Sequence, residues 1–144
     1  MVDLPTPPKP RGRYRPVIVH RGVAYVSGQV SRDENEVTLT GIAAGEADIP
    51  AAQEAARRSM LRCLSVLSDA IGGLDAVEQV LMVRGFIRSA PDFIHHPKVM
   101  DAASDVLIDA LGETRGQHAR AAVGVASLPS GGMLEIELSV ALRA

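Results

Sequence analysis

Residues 134–142 alternate cleanly. Leu134, Ile136, Leu138, Val140 and Leu142 fall on one side, and Glu135, Glu137, Ser139 and Ala141 on the other. A period of two with one apolar side predicts a half-buried strand. Residues 118–126 alternate more quietly. Ala119, Ala121, Val123 and Val125 stand opposite His118, Arg120, Ala122, Gly124 and Ala126. The segment 129–132 reads as a turn joining these two strands. If the valines of the first strand meet the same core as the leucines of the second, Arg120 and Glu135 share the side away from it.

Two stretches carry helical spacing. In 48–71, Ala52, Ala56, Met60, Cys63, Leu64, Leu67 and Ile71 recur along one face, Pro50 is tolerated in the first turn, and Gly72–Gly73 ends the helix. Arg57, Arg58, Arg62 and Asp69 fall largely off that stripe. In 97–111, Val99, Ala103, Val106, Leu107, Ala110 and Leu111 form an apolar face, Gly112 follows, and 113–117 reads as a polar loop. The remaining strands are 14–20 and 23–27, a hairpin about Arg21–Gly22, a short edge strand at 37–39, and 80–89. In 80–89, Leu81, Val83 and Ile87 oppose Val80, Met82, Arg84, Phe86 and Arg88. The order is ββ, a short β, then αβαββ. It predicts an α+β domain of two layers, a mixed sheet with two helices on one face. Residues 1–13, rich in proline, read as an extended arm, and 14–144 as a single domain. The other sheet face, bearing Arg84, Arg88, Arg120, Glu135 and Glu137 among apolar neighbours, suits a subunit seam better than open water.

Composition narrows the function. A net charge of −2 over 144 residues argues against a dedicated nucleic-acid surface. One cysteine, Cys63, excludes an internal disulfide and a multi-cysteine zinc site, and on the buried stripe it reads as an inert thiol. His95–His96 lacks acidic or thiol partners at ligand spacing, and Asp101, Asp105 and Asp109 read as a solvated stripe. No apolar run is long enough to span a bilayer, and the N-terminus lacks the apolar region of a signal peptide, so the expected location is cytoplasmic. Arg120 with Glu135 reads either as an exposed ion pair or as the charged lining of a pocket among small residues. Ser27–Gly28 reads either as a bulge or as backbone that a ligand can approach closely.

Taken together, these positions resemble the RidA (YjgF/YER057c/UK114) family. The matching features are Tyr14, then Ser27–Gly28–Gln29, then Arg120 leading through Val123 and Val125 to Leu128–Pro129, then Glu135–Ile136–Glu137. The resemblance spans nearly the whole chain. It implies a chorismate-mutase-like fold and a homotrimer with clefts between subunits. It further implies cofactor-free, metal-free hydrolytic deamination of reactive 2-imino and enamine acids to 2-oxo acids and ammonia. By the same resemblance Arg120 binds the substrate carboxylate, Glu135 positions the attacking water, and Tyr14, Ser27 and Gly28 line the cleft. Ala122 stands where the deaminase branch has cysteine, and the segment from Gly116 to Arg120, with Val123–Gly124–Val125, resembles a less characterised branch. The alternative is a non-catalytic trimer that binds a small carboxylate and regulates. Neither reading involves nucleic acid or a membrane.

Overall fold

The computed structural model describes residues 2–144; Met1, at the start of the arm, lies outside the described residues. Strands β1 (Val17–His20), β2 (Val23–Val30), β3 (Val77–Arg88), β4 (Ala119–Val125) and β5 (Leu134–Leu142) form one mixed sheet in the order β1-β2-β5-β3-β4. Helices α1 (Ile49–Ile71) and α2 (His96–Arg115) pack against one another and cover one face. The architecture is the expected two-layer α+β.

β5 holds the centre because its apolar side is the most regular. Leu134, Ile136, Leu138 and Val140 are all buried, against Met60, Cys63, Leu64 and Leu67 of the α1 stripe. Each fully buried leucine contributes roughly 1.5–3 kcal/mol relative to exposure. α1 begins after Asp48, whose carboxylate accepts from the Ala44 and Gly45 N–H groups, and ends at Gly72 in the left-handed conformation. Cys63 is buried, and its thiol donates to the Ile136 carbonyl. Burial pushes its pKa up, so it stays a neutral thiol.

Three local expectations are corrected. β4 and β5 are not a hairpin: they flank β3, β4 running parallel to it and β5 antiparallel. The chain enters β4 from α2, so β3-α2-β4 is a crossover unit, and crossovers join parallel strands. The chain then passes over the end of β3 to reach β5. Residues 37–39 make no strand, only isolated bridges such as Arg32 with Thr38. α2 continues past Gly112, where the backbone kinks at φ 89, to Arg115. Arg115 holds that extra turn by donating to the carbonyls of Val77 and Leu74.

A further correction concerns alternation in β3. A register shift between Val80 and Met82 lets Val80 and Val83 both face the core and leaves Leu81 41% exposed. Residues 2–13 of the arm have no regular secondary structure. Leu4 packs on the core, and the Ser65 hydroxyl donates to the Pro5 carbonyl at 2.5 Å.

Candidate functional site

β2 breaks register with β5 between Val26 and Gln29, so Ser27 and Gly28 form a bulge opposite Glu137. The bulge is therefore real, and it also brings backbone close to a charged group. A Cβ built on Gly28 would lie within contact-forbidden range of the Glu135 carboxylate, 2.9 Å from its Cδ. Glycine leaves the Glu135 carboxylate room to lie against the strand, and any side chain here would push it aside. Ser27 donates its hydroxyl to the Arg15 carbonyl at 2.7 Å and its N–H to Pro16, tying the bulge to the end of the arm.

Above the bulge is a cavity of about 650 Å³, lined by Tyr14, Ser27, Gly28, Glu135 and Glu137 together with residues of the arm. Glu135 is half-buried. Its carboxyl is held above the usual carboxylate range, first by burial and then by the neighbouring Glu137 charge. Four of the five residues singled out in the sequence thus meet within one chain. Gly28→Ala should force Glu135 aside; we expect roughly a 10²-fold loss of any activity that depends on that carboxylate, with the far-ultraviolet circular dichroism unchanged. A fully active Gly28→Ala protein would remove the bulge from the site.

Arg120 is the fifth, and the structure places it elsewhere. It pairs with Val83 across β3–β4, and Val83 faces the helices. Glu135 pairs with Phe86, one parity step away. Paired residues on adjacent strands share a face, so Arg120 lies on the helix side and Glu135 on the open side. The valines of β4 do not face the helical core: Val123 is 47% exposed. The expectation that Arg120 and Glu135 share the outer face is overturned by the register of β4 against β3, which the sequence of either strand alone does not fix. Arg120 donates to Asp101 and Ser104 at 3.0 Å each and to the Pro97 carbonyl at 3.2 Å, all on α2. It remains at the sheet edge, its side chain 21% exposed. Arg84 and Glu137 make the open-face ion pair instead, at 3.5 Å. Ala122 packs on the core in the row of Gly85, with no nucleophile at that position.

Two arginines of the cavity wall escaped the sequence reading. Arg32 and Arg62 are 6% and 5% exposed and line the same cavity. Arg62 falls off the apolar stripe of α1, where a solvated side chain is the ordinary outcome. It is buried because residues 31–36 and the arm fold over that part of the helix, and it pairs with Glu36 at 2.9 Å. No local signal marks a helix position that a distant loop will cover. Among the described residues, no group of three or more His, Cys, Asp or Glu side chains is arranged to hold a metal ion, and no helix is long and apolar enough to cross a membrane.

The family model described as Endoribonuclease L-PSP matches residues 5–142. The chain belongs to this family, the RidA/YjgF family. Among RidA-family relatives, Protein TCP17 of Trypanosoma cruzi is 33% identical over 142 residues, spanning 99% of this chain and 89% of that protein. The crystal structure of Atu1372, a protein of unknown function from Agrobacterium tumefaciens, matches with a TM-score of 0.86 at 34% identity, covering 94% of this chain and 87% of that one. A candidate endoribonuclease from Shewanella oneidensis MR-1 matches with a TM-score of 0.89 at 25% identity, covering 98% and 93%. The two-helix, five-stranded RidA fold of this chain is therefore shared by its neighbours along essentially the full length.

Proposed function

We propose that this protein hydrolyses 2-imino acids to 2-oxo acids and ammonia, in a cleft formed where copies of the chain associate as a homotrimer. The observation that carries the reading is the Glu135 carboxylate. It is half-buried, set against Gly28 in a bulge, and faces a cavity with Tyr14 at its rim. A carboxylate with a raised pKa in a partly dry cavity is a stronger base than an ordinary one, which suits it to take a proton from water. Arg120, at the sheet edge and on the opposite face, serves the cleft of a neighbouring copy. A planar guanidinium there can hold the substrate carboxylate through two parallel hydrogen bonds.

The chemistry asks little of the protein. The carbon of a protonated imine is already electrophilic. Glu135 accepts a proton as a water oxygen bonds to that carbon, giving a carbinolamine. Glu135 then passes that proton to the amino nitrogen, takes up the hydroxyl proton as the C–N bond breaks and the C=O bond forms, and ammonia leaves with the 2-oxo acid behind. Orientation and proton transfer are the two contributions, and no metal or organic cofactor enters.

A coupled assay tests this. An amino-acid oxidase generates the imine, and its disappearance is followed with and without the protein. Accelerated loss of at least one imine is expected; loss at the buffer rate for every imine supports the non-catalytic carboxylate-binding alternative, favoured by the in-chain bonding of Arg120 to Asp101, Ser104 and Pro97. Ribonuclease activity fits less well. The net charge is −2, and the buried arginines of the cavity can reach a small anion but not a polynucleotide backbone.

The pH dependence follows from the ionised form of Glu135 being the working base. Turnover rises with pH as Glu135 loses its proton. Because its pKa is raised, the midpoint of that limb in kcat/KM lies above the usual carboxylate range. Glu137→Gln removes the neighbouring negative charge, so the limb should move to lower pH. A limb unmoved by that substitution would mean another group sets it.

A further inference from the structure

The cavity has a cationic end that does not involve Arg120. Arg32 and Arg62 are both more than nine-tenths buried, yet each has only one side-chain partner among the described residues. Arg32 Nη2 donates to Ser130 Oγ at 3.1 Å, and Arg62 Nη1 donates to Glu36 at 2.9 Å. The Nε–H of each is buried with no acceptor. Leaving a donor of a buried charged group unused is costly, and two such groups on one wall are not explained by packing. Like charges also gather there. Burial lowers the pKa of Arg32, and the charges of Arg11 and Arg62 lower it further, with Glu36 offsetting only part.

Arg32 and Arg62 stand between two cavities, and the charge lining each decides which one an anion enters. In the smaller, Arg32, Arg58 and Arg62 are matched by Asp3, Asp33 and Glu34. In the larger, Lys9, Arg11, Arg32 and Arg62 face only Glu135 and Glu137. The excess of positive charge lies on the side of the candidate site.

We propose that Arg32 and Arg62, joined by Arg11 of the arm, form a second anion subsite, so that the ligand carries another carboxylate or a phosphate besides the carboxylate assigned to Arg120. This rests on the imine-hydrolysis reading and deepens it: the preferred substrate is a 2-imino acid with an acidic side chain. Arginine suits the task because its fork of donors matches either anion and its charge persists when buried.

Binding to the full-length protein tests this, with stable 2-oxo acids standing in for the short-lived imines. Calorimetry compares 2-oxoglutarate, with two carboxylates, against 2-oxobutyrate, with one. The wild-type protein should bind 2-oxoglutarate roughly tenfold or more tightly than 2-oxobutyrate. Arg32→Gln should erase that preference, bringing 2-oxoglutarate affinity down to within about twofold of 2-oxobutyrate affinity measured on the same variant. Should Arg32→Gln fail to fold, Arg11→Gln on the exposed arm should reduce the preference several-fold. Inorganic phosphate that displaces 2-oxoglutarate but not 2-oxobutyrate would assign the subsite to phosphate; failure to displace either assigns it to a carboxylate. Equal affinity of the wild-type protein for the two oxo acids, or a preference that survives both substitutions, overturns the proposal. Because the readout is binding, absence of turnover on every imine would refute the hydrolysis reading and leave the subsite standing.

Discussion

Glu135→Gln is expected to lower kcat/KM for imine hydrolysis by roughly 10²–10⁴-fold while leaving 2-oxo acid affinity within about threefold of wild type. Glutamine matches the shape of the side chain beside Gly28, so the bulge and the cavity should persist. What it lacks is the ability to take a proton from water. It also removes a carboxylate whose ionisation burial and Glu137 oppose, so folding should not suffer at neutral pH. Steady-state kinetics paired with calorimetry separate the two effects. Turnover within about threefold of wild type would exclude Glu135 as the base.

The second large effect is expected at Arg120. Arg120→Ala should lower kcat/KM by at least about 10²-fold, because the substrate loses the group that holds its carboxylate. The same substitution removes donors to Asp101, Ser104 and the Pro97 carbonyl, which fasten β4 to α2. A stability loss of about 1–2 kcal/mol should accompany it. Chemical denaturation measures that loss, and assays run well below the unfolding midpoint keep it out of the kinetics. Arg120→Lys retains the charge without the planar fork, so it should fall between the two. Arg120→Ala with wild-type kcat/KM would mean that Arg120 serves only to join β4 to α2.

How far the sequence could be read follows from how local each signal is. β5 was legible residue by residue because its alternation is uninterrupted and its apolar side is all large. α1 was legible for the same reason, within one residue at its start. β3 was misread at Val80–Leu81 because a register shift there puts two positions of opposite parity on one face. The side on which Arg120 lies could not be read at all. Apart from Arg120, β4 holds only alanines, a glycine and two valines, and its facing is set by pairing with β3 across an intervening helix. Tyr14, Ser27, Gly28 and Glu135 could be grouped because their pattern is that of a known family, although they lie far apart in the chain. Arg32 and Arg62 carried no such pattern. Their burial depends on contacts with Glu36, Ser130 and the arm, up to 98 residues distant.

That Arg120 and Glu135 occupy opposite faces of one sheet makes the central claim specific: the working site takes Arg120 from one chain and Glu135 from the next. The decisive measurement is the activity of mixed oligomers. Arg120→Ala and Glu135→Gln proteins, each inactive alone, are unfolded together in equal amounts and refolded. If each cleft draws the two residues from different chains, one cleft in four pairs an intact Arg120 with an intact Glu135, and about a quarter of wild-type activity should return. If oligomers of verified mixed composition recover none, the two residues do not meet across a subunit boundary, and the account fails.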